Sequence, residues 1–514
     1  MPPELRPPGD RGPVASHDGN ATETTPLLIA NDIAPTADPD VAKAATLREP
    51  DRRDVADPED KPLPGWQIFL LCYARLVEPM AFFSIFPYIS QMAQQNGNLA
   101  HADVGFYSGL IESLFSLTQA IFMVYWGKLS DRVGRKPVLV FSLVGVTLAT
   151  SIFGMAQTIW QMILFRCLAG VFGGTIVTMR TMIAEHSTSK TQARAFSWFA
   201  FSGNLGLFIG PLMGGVLADP AHLYPGVFKS RFFLDYPYAL PSFVVGFLGL
   251  TAALACFFFV EETLKKEPRG QGDNGSAAPK KDTRSIRKLV KSKGVGSVLV
   301  VYAYLMLLAI SYTAIVPVFW YTPVKLGGYG FTPLQIAIMM AVNGVAQALW
   351  LVVIFPPLQR RIGTNGVMRF CAYAYPWFYL TCPLGNFILK AGVNNHGWTT
   401  FFWVFAPISL TLGSGVSMSF TAVQLALNDV SPSPQVLGAL NALALTGVSL
   451  IRAFTPALYT SLFAIGARTQ YLWGHAIWVL MISLAVGLIF AVRQLPDEED
   501  LKRAREREQA EQDE

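Results

Sequence analysis

The chain has 514 residues, of which 52% are hydrophobic and only 15% are charged. Soluble domains carry roughly 25% charged residues, so this composition argues against a soluble domain and indicates a protein that crosses the membrane many times. The net charge of +5 is modest and the basic residues lie in loops and tails, which indicates membrane orientation rather than nucleic-acid binding.

Residues 1–64 form a tail rich in Pro, Asp, Ala and Thr, without an apolar stretch long enough for a signal peptide. We expect this tail to be disordered and cytoplasmic. It contains Glu23, Leu27 and Leu28 in the string ETTPLL, which resembles the acidic dileucine signals that adaptor proteins read to route cargo to vacuoles or lysosomes. Short patterns of this kind also arise by chance, so a sorting role with an adaptor as partner and a chance match both stay open.

Twelve apolar segments of membrane-spanning length follow the tail, since about twenty apolar residues cross a bilayer core of about 30 Å. Six precede a hydrophilic interruption and six follow it. The predicted spans are 66–89, 104–126, 138–156, 160–184, 195–217, 238–260, 295–320, 333–355, 367–389, 399–427, 436–465 and 473–492. We therefore predict an all-α membrane protein whose tails both face the cytoplasm.

This arrangement divides the chain into five parts. They are the N-terminal tail (1–64), a six-helix bundle (65–260), a basic cytoplasmic linker (261–294), a second six-helix bundle (295–493) and a charged C-terminal tail (494–514). Basic residues are concentrated in the loops that this division places in the cytoplasm, as the rule for short loops requires. The last part of the linker, RSIRKLVKSK, is either solvated chain or a basic amphipathic helix on anionic lipid.

The two halves show signs of an internal duplication. Pro211 in the fifth span and Pro456 in the eleventh lie at matching places. The segment GKLSDRVGRKP after the second span has a degraded counterpart, LQRRIGTN, after the eighth. We therefore expect two pseudo-symmetric bundles that are related but not equivalent.

The segment from Gly127 to Pro137 orders its residues in a specific way: Gly, then Asp-Arg, then Gly-Arg-Lys. This order resembles the signature loop between the second and third transmembrane helices of the major facilitator superfamily. The resemblance implies the major facilitator fold, in which twelve transmembrane helices form two six-helix bundles.

The resemblance also implies that the carboxylate of Asp131 acts as a latch. It would cap a neighbouring helix N-terminus and pair with arginine, and so hold the cytoplasmic side closed in the outward-facing state. The positive end of a helix dipole contributes about 0.3–1 kcal/mol to such a contact, and glycines allow close backbone approach and a tight turn. The predicted latch consists of Gly127, Asp131, Arg132, Gly134, Arg135 and Lys136.

The fifth span contains a glycine-rich string, GNLGLFIGPLMGG. Glycines at four-residue spacing make a flat face for helix packing, and the proline permits a bend, so packing alone would explain the pattern. The string G-x-x-x-G-P-x-x-G-G resembles the motif that marks antiporters in the superfamily, which favours antiport over uniport or symport. Its members are Gly206, Gly210, Pro211, Gly214 and Gly215.

Charged residues inside apolar spans are costly and are therefore functional candidates. The candidates are Glu78, Glu112, Arg166 and Arg452. Arg75 and Glu78 are three residues apart on one helix face. The alternative for Glu78 is therefore an ion pair with Arg75 that has only a structural role. Arg166 matches an arginine-then-glycine motif that the resemblance links to proton coupling.

Glu112 has no oppositely charged residue near it in the sequence. A low-dielectric cavity disfavours the charged form of a carboxylic acid, so such a group can take up and release protons near neutral pH. An arginine beside it would oppose this effect, and relative motion would switch the affinity for protons. We predict that Glu112 and Glu78 carry the exchanged proton and that Arg166 modulates their affinity for it. Arg452 would face Arg166 from the other half. A purely structural pairing is the alternative.

Three stretches of the sequence resemble one particular branch of the superfamily. They are LVEPMAFFSIFPYI, FYSGLIESLFSLTQAIFMVYWGKLSDRVGRKP, and YALPSFVVGFLGL followed by EETL. They look like the zinc-induced-facilitator-like branch of the drug:proton antiporters, particularly its fungal members. Plant members carry Cys-Pro-Glu in the first helix, where this chain has Val77, Glu78 and Pro79, so only the acid is shared. The histidines and cysteines lack the spacing of a metal site, and we predict no metal and no cofactor.

Together these features predict a secondary transporter, not an enzyme, which exchanges protons for a small organic solute such as a drug, metabolite or organic acid. The two bundles would rock around a site near the membrane midplane, in a vacuolar or plasma membrane. We expect a monomer whose partners are the bilayer, the solute and protons, and no nucleic acid. The alternatives are a monovalent-cation or metal-chelate exchanger and a non-transporting membrane sensor.

Overall fold

The computed structural model describes residues 62–188, 191–264, 294–393, 395–430 and 434–495. The first half of the described chain consists of α-helices joined by short turns. These helices are α1 (Gly65–Phe83), α2 (Ile89–Gly97), α3 (Val104–Val133), α4 (Arg135–Phe153), α5 (Ile159–Val171), α6 (Thr175–His186), α7 (Gln192–Leu217), α8 (Pro220–Leu223), α9 (Arg231–Asp235) and α10 (Ala239–Phe259).

The second half is built in the same way. Its helices are α11 (Val295–Tyr321), α12 (Pro333–Leu349), α13 (Phe355–Gly392), α14 (His396–Gly413), α15 (Met418–Asp429), α16 (Pro434–Thr469) and α17 (Ala476–Arg493). Short 3₁₀ helices occupy Val324–Leu326, Ser414–Ser417 and Tyr471–Gly474, and a π-helical turn occupies Trp350–Ile354. The central linker and both tails lie outside the described residues, so their predicted bounds stay predictions.

Ten helical segments of the described chain are long and apolar enough to cross a membrane. One of them, Pro333–Gly392, has 60 residues and contains two crossings, because the chain leaves the helical conformation at Gly363 (φ 70°, ψ 172°). Helix α1, with 19 residues, adds a crossing that is less apolar because it carries Arg75 and Glu78. The prediction of an all-α fold with twelve membrane-spanning helices is confirmed.

Two predicted spans are broken in their middle part, and a third, 66–89, runs past the end of α1 at Phe83 and through the turn before α2. The sequence predicts single helices over 160–184 and 399–427, whereas the chain turns between α5 and α6 and passes through 3₁₀ helix Ser414–Ser417. At the first break the indole of Trp126 donates a 2.6 Å hydrogen bond to the carbonyl of Val171. A Cβ at Gly174 would collide with the same indole, so only glycine allows this approach.

The two halves of the molecule meet chiefly through two helix pairs, α3 with α16 and α7 with α12. We call the end that carries the segment from Gly127 to Pro137 the basic end. The glycines that leave least room for a Cβ against the other half are Gly109, next to Thr460, and Gly215, next to Ala337, and both lie towards the opposite end. No substantial contact joins α6 to α15 within the described residues. Among the described residues, the two halves are therefore in close contact at the opposite end and lack substantial contact between α6 and α15 at the basic end.

Candidate transport site

Glu78 of α1 has hydrogen-bond partners on both carboxylate oxygens. Gln119 of α3 donates to Oε1 at 2.6 Å, and Thr175 of α6 donates to Oε2 at 2.8 Å. Arg75 makes an ion pair with Oε2 at 3.7 Å. The pair of Arg75 and Glu78 considered from the sequence is present, and it belongs to a larger network on three helices.

The break between α5 and α6 positions the partners of Glu78. Gln119 also donates to the carbonyl of Gly173 at 3.0 Å, and Thr175 is the first residue of α6. A Cβ at Gly173 would lie 2.8 Å from Nε2 of Gln119, so the glycine makes room for the amide. Secondary transporters often build their solute sites beside broken helices. Gln119 and Thr175 were not predicted from the sequence, although the adjacent glycines at 173 and 174 were a signal for the break.

Glu112 of α3 lies in the interior of the first half beside Arg166 of α5. The two residues are 2% and 3% exposed, and the charge of Arg166 acts on Glu112. Oε1 of Glu112 and both Nε and Nη2 of Arg166 have no hydrogen-bond partner among the described residues. The structure therefore places the two predicted residues together and leaves both with unused hydrogen-bonding capacity.

Aromatic rings occupy the faces of the Arg166 guanidinium. Its Cζ lies 4.3 Å from the ring centroid of Phe115 and 5.2 Å from that of Phe82. Contacts of this kind stabilise a desolvated cation by up to about 2 kcal/mol. The rings thus supply part of the stabilisation that a hydrogen-bonded carboxylate would otherwise provide.

Two further arginines with exposed side chains lie near Glu78, towards the basic end, and we call the space that they border the central cleft. Arg452 of α16 lies in the other half, and the charges of Glu78 and Arg75 act on it. The same two charges and Tyr302 of α11 act on Arg180 of α6. The side chains of Arg180 and Arg452 are both exposed. Arg180 was not predicted from the sequence, although its place inside the fourth apolar span was a usable signal.

The predicted latch lies at the basic end. Asp131 pairs with Arg135 four residues later, and Arg135 also contacts Glu185 of α6 at 3.3 Å. Asp131 is 64% exposed. These ion pairs all lie within the first half, so in this conformation Asp131 is not held by the second half among the described residues. The latch role of this loop stays a prediction, together with the roles of its other members, Gly127, Arg132, Gly134 and Lys136.

Glu262, which follows α10, caps the start of α4. Its carboxylate accepts the backbone N–H of Arg135 at 2.8 Å and that of Lys136 at 3.1 Å. Burial favours a higher pKa for Glu262, but these backbone donors outweigh it and lower the pKa below the usual value. Glu185 accepts a further hydrogen bond from Thr263. The EETL segment thus connects the end of the first bundle to the basic loop through hydrogen bonds.

The glycine-rich face of α7 lies against α1. Any Cβ on three of the motif glycines would press on the α1 backbone; they are Gly206, Gly210 and Gly214. Gly215 faces the other half, where a Cβ would lie 2.7 Å from the carbonyl oxygen of Pro333 at the start of α12. Pro211 lies within α7 between these contacts. The motif therefore packs α7 against both the helix of Glu78 and the second bundle.

Close contact between α3 and α16 closes the opposite end. A Cβ at Gly109 would lie 2.7 Å from the carbonyl oxygen of Pro456. Ser113 accepts a 2.8 Å hydrogen bond from the backbone N–H of Ala457. Proline interrupts the helical hydrogen bonds around it, and here a side chain from the first half binds the backbone N–H next to Pro456 in the second.

Two other predictions concern the sorting residues and a metal site. The sorting residues Glu23, Leu27 and Leu28 lie outside the described residues. Within the described part of the chain, no group of three or more His, Cys, Asp or Glu residues is arranged to hold a metal ion.

The sequence profile of the Major Facilitator Superfamily matches residues 71–388. The chain is 44% identical to Efflux pump azaK of Aspergillus niger, over 84% of this chain and 88% of that protein. It is 26% identical to Protein ZINC INDUCED FACILITATOR 1 of Arabidopsis thaliana, over 79% of this chain and 86% of that protein. The fold is similar to the crystal structure of a D-xylose-proton symporter, with a TM-score of 0.62 and 12% identity over 86% of this chain and 99% of that one.

Proposed function

This chain belongs to the Major Facilitator Superfamily, and we propose that it is an antiporter that exchanges protons for a small organic solute by alternating access. Membership of the family, together with the apolar helices, makes it a multi-pass membrane transporter. The exchange for protons and the direction of solute movement, out of the cytoplasm or into a vacuole, are the proposal. A relative named as an efflux pump supports that direction.

The observation that carries the proposal is the state of Glu112. Its carboxyl group is buried, one oxygen has no hydrogen-bond partner among the described residues, and Arg166 lies beside it without binding that oxygen. Burial disfavours a bare carboxylate, whereas a nearby guanidinium favours it. A small displacement of either helix therefore changes the affinity of Glu112 for a proton.

In this proposal, Glu78 is a second carboxyl group that takes up and releases a proton. It is held by Gln119 and Thr175, whose helix α6 begins at a break beside the central cleft. Rocking of the halves would alter this network because α7 packs on both α1 and α12 through its glycines. Proton uptake and the exposure of the cleft would then be linked through the same helices.

Solute counterflow in proteoliposomes tests the proposal. The purified chain would be reconstituted with a panel of candidate solutes inside the vesicles, and release would be measured with and without an inward proton gradient. Proton-dependent release of at least one solute is expected. Equal release with and without the gradient would refute proton coupling, and binding without any flux would favour a membrane sensor.

A further inference from the structure

We propose that the central cleft binds the solute through an acidic group, such as a carboxylate, held by Arg180 and Arg452. This inference rests on the proposed transport function and adds the chemical class of the solute. The site lies between α6 of the first half and α16 of the second, on the open side of Glu78.

The charges around the cleft do not balance. The arginines are Arg75, Arg166, Arg180 and Arg452, and the acids that face them are Glu78 and Glu112. Arg75 has Glu78 as its ion-pair partner, and Arg166 lies beside Glu112. Arg180 and Arg452 have no ion pair among the described residues, although charges inside apolar spans are costly. An acidic solute would supply the missing negative charge.

Unused hydrogen-bond donors point to the same class of ligand. Nε of Arg75 and both Nε and Nη2 of Arg166 are buried without partners in the described chain. These atoms only donate, and carboxylates accept two parallel hydrogen bonds from a guanidinium. At these charged residues three unused donors accompany one unused acceptor, Oε1 of Glu112, which suits an anion and does not suit an amine.

The cleft also offers apolar surface for the rest of an organic molecule. Phe82 is in contact with the guanidinium of Arg452, at 5.8 Å from the ring centroid, and also with that of Arg166. Arg452 is exposed while Arg166 is buried. In this conformation a solute could therefore reach Arg452 and Arg180 while the group around Glu112 stays covered.

Matched ligands test the inference. The probes are aromatic carboxylic acids, their primary amides and the corresponding amines, added to the full-length purified protein. Thermal unfolding gives apparent affinities, and vesicle flux with a pH gradient is measured in parallel. Arg180→Gln and Arg452→Gln remove the charge, Arg180→Lys keeps it, and Arg231→Gln on the exposed helix α9 serves as the control.

At least one acid is expected to bind about tenfold or more tightly than its amide, the effect of one charge-assisted hydrogen bond. The preference should disappear in either Gln variant, persist in part in Arg180→Lys and be unchanged in Arg231→Gln. Equal binding of acids and amides, tighter binding of amines, or no binding by any acid would overturn the inference. Proton-driven flux of amides or amines alone would refute it and leave antiport intact. Arginine-dependent binding of acids without proton-driven flux would support the inference and refute proton-coupled antiport.

Discussion

Arg166 and Arg452 belong to different halves of the molecule and contact the same aromatic ring. Their guanidinium carbons lie 5.2 Å and 5.8 Å from the ring centroid of Phe82. Phe82 is 9% exposed, and it contacts one arginine that is buried, Arg166, and one that is exposed, Arg452. Movement of one half relative to the other must break at least one of these contacts.

Phe82→Leu is therefore expected to reduce proton-driven exchange several-fold, because it keeps apolar volume but removes the ring face that both arginines use. Phe83→Leu is the matched control, since Phe83 is buried to the same 9% and has no cation–π contact within the described chain. Initial rates of exchange in proteoliposomes give the comparison. Equal rates for the two variants would show that the shared ring has no role.

Closure of the opposite end depends on Gly109. A Cβ there would collide with Thr460 and lie 2.7 Å from the carbonyl oxygen of Pro456, so Gly109→Ala is expected to favour conformations in which this end is open. Single cysteines placed near Asp103 should then react faster with a membrane-impermeant thiol reagent. Gly447→Ala on α16 is the control because a Cβ at that position has open space. Unchanged reactivity in Gly109→Ala would contradict the predicted role of this contact.

The cap on α4 should contribute to stability at neutral pH. Glu262→Gln removes a carboxylate from the positive end of the helix, at a cost of about 0.3–1 kcal/mol for an exposed site. Because the pKa of Glu262 is lowered in the folded protein, this contribution is present above the unfolded pKa of about 4.3. It is lost as the pH falls through the folded pKa.

Thermal unfolding of Glu262→Gln beside the neighbouring Glu261→Gln measures this effect. The first variant should unfold at a lower temperature than the wild type at pH 7 and approach it at pH values below the folded pKa. A deficit that stays the same at low pH would mean that the carboxylate charge is not what stabilises the helix.

His475 makes a second pH-dependent contribution to the stability of the folded protein. It is 4% exposed, its Nε2 lies 3.1 Å from Oδ1 of Asn386, and its Nδ1 has no partner among the described residues. Burial, with a smaller effect from Lys390, lowers the pKa of His475 to about 4. The unfolded chain takes up this proton near pH 6.5, so stability is expected to fall as the pH drops from about 6.5 towards 4 and to level off below that range.

His475→Gln should reduce that part of the acid sensitivity, whereas His396→Gln at an exposed position should not. Unfolding temperatures at several pH values between 7 and 4 measure the difference. Parallel pH profiles for the wild type and His475→Gln would rule out burial of a neutral imidazole as the cause.

The helices and the charged candidates could be predicted from the sequence because their signals are local. Length and hydropathy identify each span, and Glu78, Glu112, Arg166 and Arg452 stand out as charges in apolar surroundings. Arg180 satisfied the same criterion and was overlooked. Identification of the superfamily and of its zinc-induced-facilitator relatives from local strings is likewise confirmed.

The network around Glu78 could not be predicted because its partners are polar, uncharged and distant in the sequence. Gln119 is 41 positions away from Glu78, and Thr175 is 97 positions away. Neither residue differs in type from the many Gln and Thr residues that only pack. Their meeting depends on how α1, α3 and α6 are placed and on the break at Gly173, which are properties of the assembled bundle.

The most direct measurement compares Glu112→Gln with the wild type in two modes of transport. Exchange of labelled for unlabelled solute requires no net proton movement, whereas accumulation against a gradient does. We predict that Glu112→Gln retains solute exchange and loses proton-driven accumulation. Accumulation at the wild-type rate in Glu112→Gln would contradict the assignment of the coupled proton to this buried acid.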